Sequence, residues 1–221
     1  MPSRIQPDAS PDRPHAAERR RSGPVAAYLA APLWTLQAPI WLLAPKVQEA
    51  TAPFAITKPL LFVLFWLSIA GAVAFSAASA AEAPRAIDGL GSRMAWWARL
   101  LATIAACLAT VATISIVTAL LPGFQGLAIG LMTSTLNGAL LVLALSVCLS
   151  AFLGWRLDHA PRSTNILLTA VAVATIAMIA VIVAGGSDSV VSLFVAVAVA
   201  VLNGIVWCGW GRSSTTRRHR P

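Results

Sequence analysis

Few side chains in this sequence could do covalent or metal chemistry, and none stands at the spacing such chemistry needs. The histidines are His15, His159 and His219, and they belong to no H-E-x-x-H pair or other metal-ligand cluster. Asp158 beside His159, in WRLDHAPRST, has the composition of an acid–base pair. Adjacent residues in a short loop are, however, more often solvated or in contact with headgroups. Cys107, Cys148 and Cys208 fall in separate apolar segments without a C-x-x-C spacing, so they read as small packing residues. Neither a G-x-S-x-G elbow nor G-x-x-x-x-G-K-[ST] occurs, so the chain does not hydrolyse ATP through a P-loop of its own. The expectation is a protein that is not an enzyme, with no catalytic set, no metal site and no cofactor.

The remaining polar candidates lie inside apolar segments. Asn137 and Asn203 are the most polar residues deep in them, and such side chains usually hydrogen-bond between helices; a transport path is the alternative use. No Asp, Glu, Lys or His lies in the middle of any apolar segment, where proton- and ion-coupled transporters commonly place one. Ion coupling is disfavoured, although carbonyls of broken helices can bind Na⁺ without carboxylates.

The elements that must carry these residues follow from composition. Of 221 residues, 58% are hydrophobic and only 11% charged, with a mean hydropathy of +0.78. A globular domain carries about a quarter charged residues, so water is not this chain's main solvent. Six uncharged stretches occur, at 25–44, 59–81, 95–121, 125–153, 165–184 and 189–211, with Arg99 as the single internal charge. The expected fold is all-α: a polytopic membrane protein of six transmembrane helices. The first is expected to be broken by Pro32 and Pro39. Residues 1–24 read as a disordered basic cytoplasmic tail, 25–211 as the transmembrane domain and 212–221 as a second basic cytoplasmic tail. RRRSGPV lacks the apolar run of a twin-arginine signal, and a cleaved signal peptide fits poorly with so many following spans.

Charge placement orients the spans, because short cytoplasmic loops attract Lys and Arg. With six spans and the N-terminus inside, all 14 arginines are cytoplasmic, and only Lys46 and Lys58 are outside. Without the first span the split becomes 7 against 9. The acids sharpen the result: Glu49 and Asp188 balance the two lysines, so the whole net charge of +8 lies on the cytoplasmic face. Both termini are thus expected in the cytoplasm. Tyr28, Trp96, Trp97, Trp155 and Trp210 fall near the cytoplasmic ends, as interfacial anchors do. The basic residues sit in tails and short loops, which does not fit a nucleic-acid partner. The Arg and Ala bias suggests a GC-rich bacterial genome.

In lipid, helices associate through small residues and polar contacts. The fourth stretch carries Gly126, Gly130, Ser134 and Gly138 at steps of four, and the sixth carries Ser192, Ala196, Ala200 and Gly204. Steps of four overshoot a 3.6-residue turn, so each series winds slowly round its helix. Helix packing is the favoured reading, with a homodimer interface as an alternative.

The layout resembles the permease half of a type-two ATP-binding-cassette exporter. It does so in its basic segment before the first span, in AEAPRAIDGLGSRMAWWARLLA leading into the third, and in LSAFLGWRLDHAPRSTNILL between the fourth and fifth. The resemblance implies a separate cytoplasmic ATPase as partner. It makes Arg85, Asp88, Arg93, Arg156, Asp158 and Arg162 candidate coupling contacts. Many members of that family carry a long re-entrant outer segment before the last span, whereas here only about four residues separate the fifth and sixth spans. The competing reading is a noncatalytic membrane subunit or scaffold in the cell membrane. It would assemble with other membrane proteins and hold its basic tails against anionic lipid.

Overall fold

The computed structural model describes residues 13–49, 57–86, 93–121, 123, 125–157, 162–183 and 190–216. Among them are six helices: α1 (Arg13–Glu49), α2 (Thr57–Ala86), α3 (Arg93–Thr118), α4 (Gln125–Leu157), α5 (Arg162–Val183) and α6 (Val190–Thr216). Five contain a stretch long and apolar enough to cross a membrane: Val63–Ala83, Arg93–Thr118, Gly126–Arg156, Arg162–Val181 and Phe194–Ser213. The chain is therefore a multi-pass helical integral membrane protein.

Two expectations about α1 change. The helix runs without interruption through Pro32 and Pro39, so the expected break is absent. It also begins at Arg13, well inside the segment read as tail. Pro14 then sits in the first turn, where the N–H that proline lacks would have no helical partner anyway, and the following HAAERRR is rich in strong helix formers. Continuity through Pro32 and Pro39 follows from packing. Ala27, Ala30, Ala31, Trp34 and Gln37 are all buried, and α1 lies against both α2 and α6. Neighbours on two sides hold the helix on course where single backbone bonds are missing.

Each helix packs on its neighbours in the chain, α6 closes back on α1, and α2 also reaches α4. The pairings of α1 with α6 and with α2 run antiparallel. A Cβ on Gly204 would meet Thr35 and Ala31, while one on Gly211 would meet Tyr28. Likewise Gly71 faces Leu33, and Gly23 faces Glu82. The α3–α4 connection is tight. Ala119, Leu120 and Leu121 donate back to Ser115, Val117 and Thr118, and Gly123 adopts a φ of 88°, a left-handed conformation natural to glycine.

The most extensive seam joins α3 to α4 and rests on alanine. Ala95, Ala98, Ala102, Ala105, Ala109 and Ala112, followed by Ile116, are buried at alternating steps of three and four. That is the 3.5-residue repeat of left-handed helix pairs, with methyl groups where Leu would hold the backbones farther apart. Hydroxyls along these helices mostly turn inward on their own backbone. Thr103, Thr110, Thr113, Ser115 and Thr118 each donate to the carbonyl four residues earlier, which satisfies these five donors within their own helix.

Candidate functional site

Polar atoms inside the bundle are used to join helices. Trp34 of α1 donates its indole N–H to Ser76 Oγ on α2 at 3.0 Å, and Trp210 of α6 does the same to Ser79 Oγ at 3.1 Å. Serines three residues apart on α2 thus receive one tryptophan from each of two other helices. Trp210, expected as an interfacial anchor, is instead buried. Tyr28, Trp96, Trp97 and Trp155 are exposed. Ser146 of α4 donates to the Ala98 carbonyl of α3 at 2.7 Å, a contact possible because Ala98 keeps the two backbones close.

Asn203 is fully buried and joins α6 to α5: its Nδ2 donates to the Ala174 carbonyl at 2.9 Å and to Val199 of its own helix at 3.0 Å. Gly204, next to it, leaves no room for a Cβ against Thr35 and Ala31. Asn137 is only half-buried and makes no hydrogen bond to another described residue. Four buried side chains keep unpaired polar atoms in this interior: Gln37 at both Oε1 and Nε2, Asn165 at Oδ1, Asn203 at Oδ1 and Trp207 at Nε1. No charged side chain is buried among the described residues.

The small residues of α4 divide into two groups. A Cβ on Gly138 would meet Leu108 of α3 at an ordinary 3.6 Å. Gly126, Gly130 and Ser134 are exposed, and open space surrounds the position of a Cβ on either glycine. Among the described residues, nothing lies within 4 Å of a Cβ on Gly126 or Gly130.

Of the candidate coupling residues, Arg85, Arg93, Arg156 and Arg162 lie at one end of the bundle. Arg93 opens α3, Arg156 closes α4 and Arg162 opens α5, and all three are exposed. Arg85 lies in the last turn of α2, and Asp88 and Asp158 lie outside the described residues. A clamp that hydropathy does not reveal holds the α4–α5 corner. Asn165 Nδ2 donates to the Gly154 carbonyl at 2.9 Å, and its Oδ1 occupies the space a Cβ on Gly154 would take. Trp155 Nε1 donates to Thr169 Oγ1 at 3.0 Å, and Thr169 in turn donates to the Asn165 carbonyl. Beside this corner a groove of about 360 Å³ opens outward, lined by Trp155, Ile166, Thr169, Ala170, Val173 and Leu202.

Asn165, Ser76 and Ser79 were not singled out by sequence reasoning. Only the alanine repeat from Ala95 to Ala112 carries a signal readable without coordinates, its alternation of threes and fours.

No protein-family model, curated protein or solved structure matches the chain.

Proposed function

We propose that this integral membrane protein is a noncatalytic membrane subunit that assembles with another membrane protein or a second copy of itself. The observation that carries the reading is the use of the interior. Trp34, Trp210, Ser146, Asn165 and Asn203 spend their donors on helix-to-helix bonds, and no charged side chain is buried among the described residues. Such an interior holds a scaffold together and offers no charged path for an ion. Purification in mild detergent with crosslinking is expected to yield a stoichiometric membrane partner or a homodimer. A monodisperse monomer with no co-purifying membrane protein would sink the proposal.

A second reading is the permease half of an ATP-driven exporter. It is favoured by exposed Arg93, Arg156 and Arg162 at one end of the bundle, the latter two flanking a corner fixed by Asn165. It requires a P-loop ATPase in the same pull-down and ATPase stimulation by a substrate. If no ATPase co-purifies, this reading is lost and the first is untouched.

Both readings include a sixth span with both termini cytoplasmic in a bacterial cell membrane. The support is the 14 to 2 charge split together with the seams of α1 on α2 and α6, which α1 lines from Gly23 to Thr35. Reporter fusions at Gln48 and Asp188 are expected to read outside, and a cytoplasmic Gln48 would remove the sixth span.

A further inference from the structure

We propose that the outward groove over α5 is a binding site for an anionic phospholipid, with an acyl chain along the groove and the phosphate on Arg156 and Arg162. The inference rests on membrane insertion alone and is independent of which assembly the chain joins.

The groove has a floor and two walls. Ile166, Thr169, Ala170 and Val173 of α5 form the floor, Trp155 of α4 one wall and Leu202 of α6 the other. Its volume of about 360 Å³ lies within the range of pockets that hold discrete ligands, roughly 300–1,000 Å³. The two groups that could make the lining polar satisfy each other: Trp155 donates to Thr169, whose own hydrogen goes to the Asn165 carbonyl. What remains accepts hydrocarbon and offers no partner to a peptide or a sugar. The same bond fixes the Trp155 ring as a standing wall, unlike the loose side chains of ordinary lipid-facing surface.

Charge at the groove's loop end selects the headgroup. Arg162, Ile166, Thr169, Ala170 and Val173 follow the spacing of one helix face, so Arg162 stands about 6 Å along the axis above the start of the floor. Arg156 directly follows the Trp155 wall, and both arginines are exposed. Asp158 is the one acid in the connecting sequence, which leaves the corner net positive. Two guanidinium groups over a hydrocarbon slot suit a phosphodiester headgroup without a compensating cation, because arginine pairs with phosphate in a bidentate manner. Basic pockets between membrane helices recognise anionic lipids in this way.

The full chain, purified in mild detergent and titrated with phosphatidylglycerol or phosphatidylcholine of matched acyl chains, tests the site by native mass spectrometry. The first phosphatidylglycerol is expected to bind about tenfold more tightly than phosphatidylcholine. Arg156→Gln with Arg162→Gln should erase that preference, whereas Arg93→Gln, at the same end but off the groove, should keep it. Ala170→Phe should weaken both lipids. Val173→Phe, at an exposed position where folding is not at stake, should do the same. Equal affinity for the two lipids would overturn the proposal, as would an Arg93→Gln effect matching the double variant, which would report net charge alone. Unchanged binding in both phenylalanine variants would remove the acyl seat. Loss of a dimer in Val173→Phe would assign the face to a second copy and overturn the lipid site.

Discussion

The Asn165 side chain stands where a Cβ on Gly154 would be, and its amide donates to the Gly154 carbonyl at 2.9 Å. One glycine and one asparagine thereby set how closely the ends of α4 and α5 approach. Gly154→Ala is expected to cost about 1–3 kcal/mol, as overpacking does, and Asn165→Ala about 0.6–1.7 kcal/mol, the range for hydrogen bonds between membrane helices. The double variant should lose clearly less than the sum, because removing the amide makes room for the new methyl. Thermal unfolding in detergent measures all three, and simple additivity would show that the two residues do not share this space.

A ranking of glycine substitutions tests the packing more broadly. At Gly204 a methyl would meet Thr35 and, at 3.0 Å, the Ala31 carbonyl, which is backbone and cannot rotate away. Gly204→Ala should therefore destabilise by about 1–3 kcal/mol, and Thr35→Ala should rescue only part of the loss. Gly138→Ala, 3.6 Å from Leu108, should be nearly neutral. Gly126→Ala and Gly130→Ala, in open space, should leave the monomer's melting temperature unchanged or raised, since alanine favours the helix by about 1 kcal/mol over glycine. If Gly130→Leu also leaves crosslinked assembly intact, the outward stripe on α4 is not where copies meet.

Hydropathy made the helices legible and left their faces hidden. Each of the six uncharged stretches falls mainly within a helix, and in the five apolar enough to span a membrane, lipid forces backbone pairing within the segment whatever its detailed sequence. Which residue faces inward depends on neighbours distant in the chain. Trp210 reads as an interfacial anchor until Ser79, 131 residues earlier, is found to accept its indole N–H. Pro32 and Pro39 read as a break because their cost is local, whereas the burial of Trp34 and Gln37 that keeps α1 continuous is tertiary. Asn137 and Asn203 have the same composition and apolar context, yet only Asn203 is placed where a backbone carbonyl of a neighbouring helix, that of Ala174, can receive it. The Asn165 clamp was not legible, since a lone asparagine near a helix start looks like a cap.

The alanine repeat of α3 predicts a sharp contrast. Ala102 and Ala105 are fully buried on the α3 repeat, and α3 and α4 approach closely enough for Ser146 to reach the Ala98 carbonyl. Ala102→Leu should separate the helices, costing about 1–3 kcal/mol from overpacking and breaking the Ser146 bond with it. Ala78→Leu, at an exposed position on α2, should be tolerated, because lipid accommodates the larger side chain. A disulfide-trapping pair across α3 and α4 would register the separation as slower crosslinking in Ala102→Leu. Equal behaviour of the two leucine variants would mean that the seam does not depend on small residues.

Gln37 offers a prediction of opposite sign. Its side chain is fully buried on α1, and neither Oε1 nor Nε2 has a hydrogen-bond partner. An amide in that state costs about 1–3 kcal/mol relative to one that is paired, while an apolar group of the same shape carries no such penalty. Gln37→Leu is therefore expected to raise thermal stability in detergent, by about 1 kcal/mol after the altered packing is counted. Gln37→Ala should not share the gain, because it removes the penalty but leaves a cavity between helices that do not close on it. The comparison separates polarity from volume at one position. A fall in stability with leucine would mean that the Gln37 amide is paired in the membrane, by a water or by a group from an assembled partner. Repeating the measurement with the partner dissociated would then distinguish those two sources.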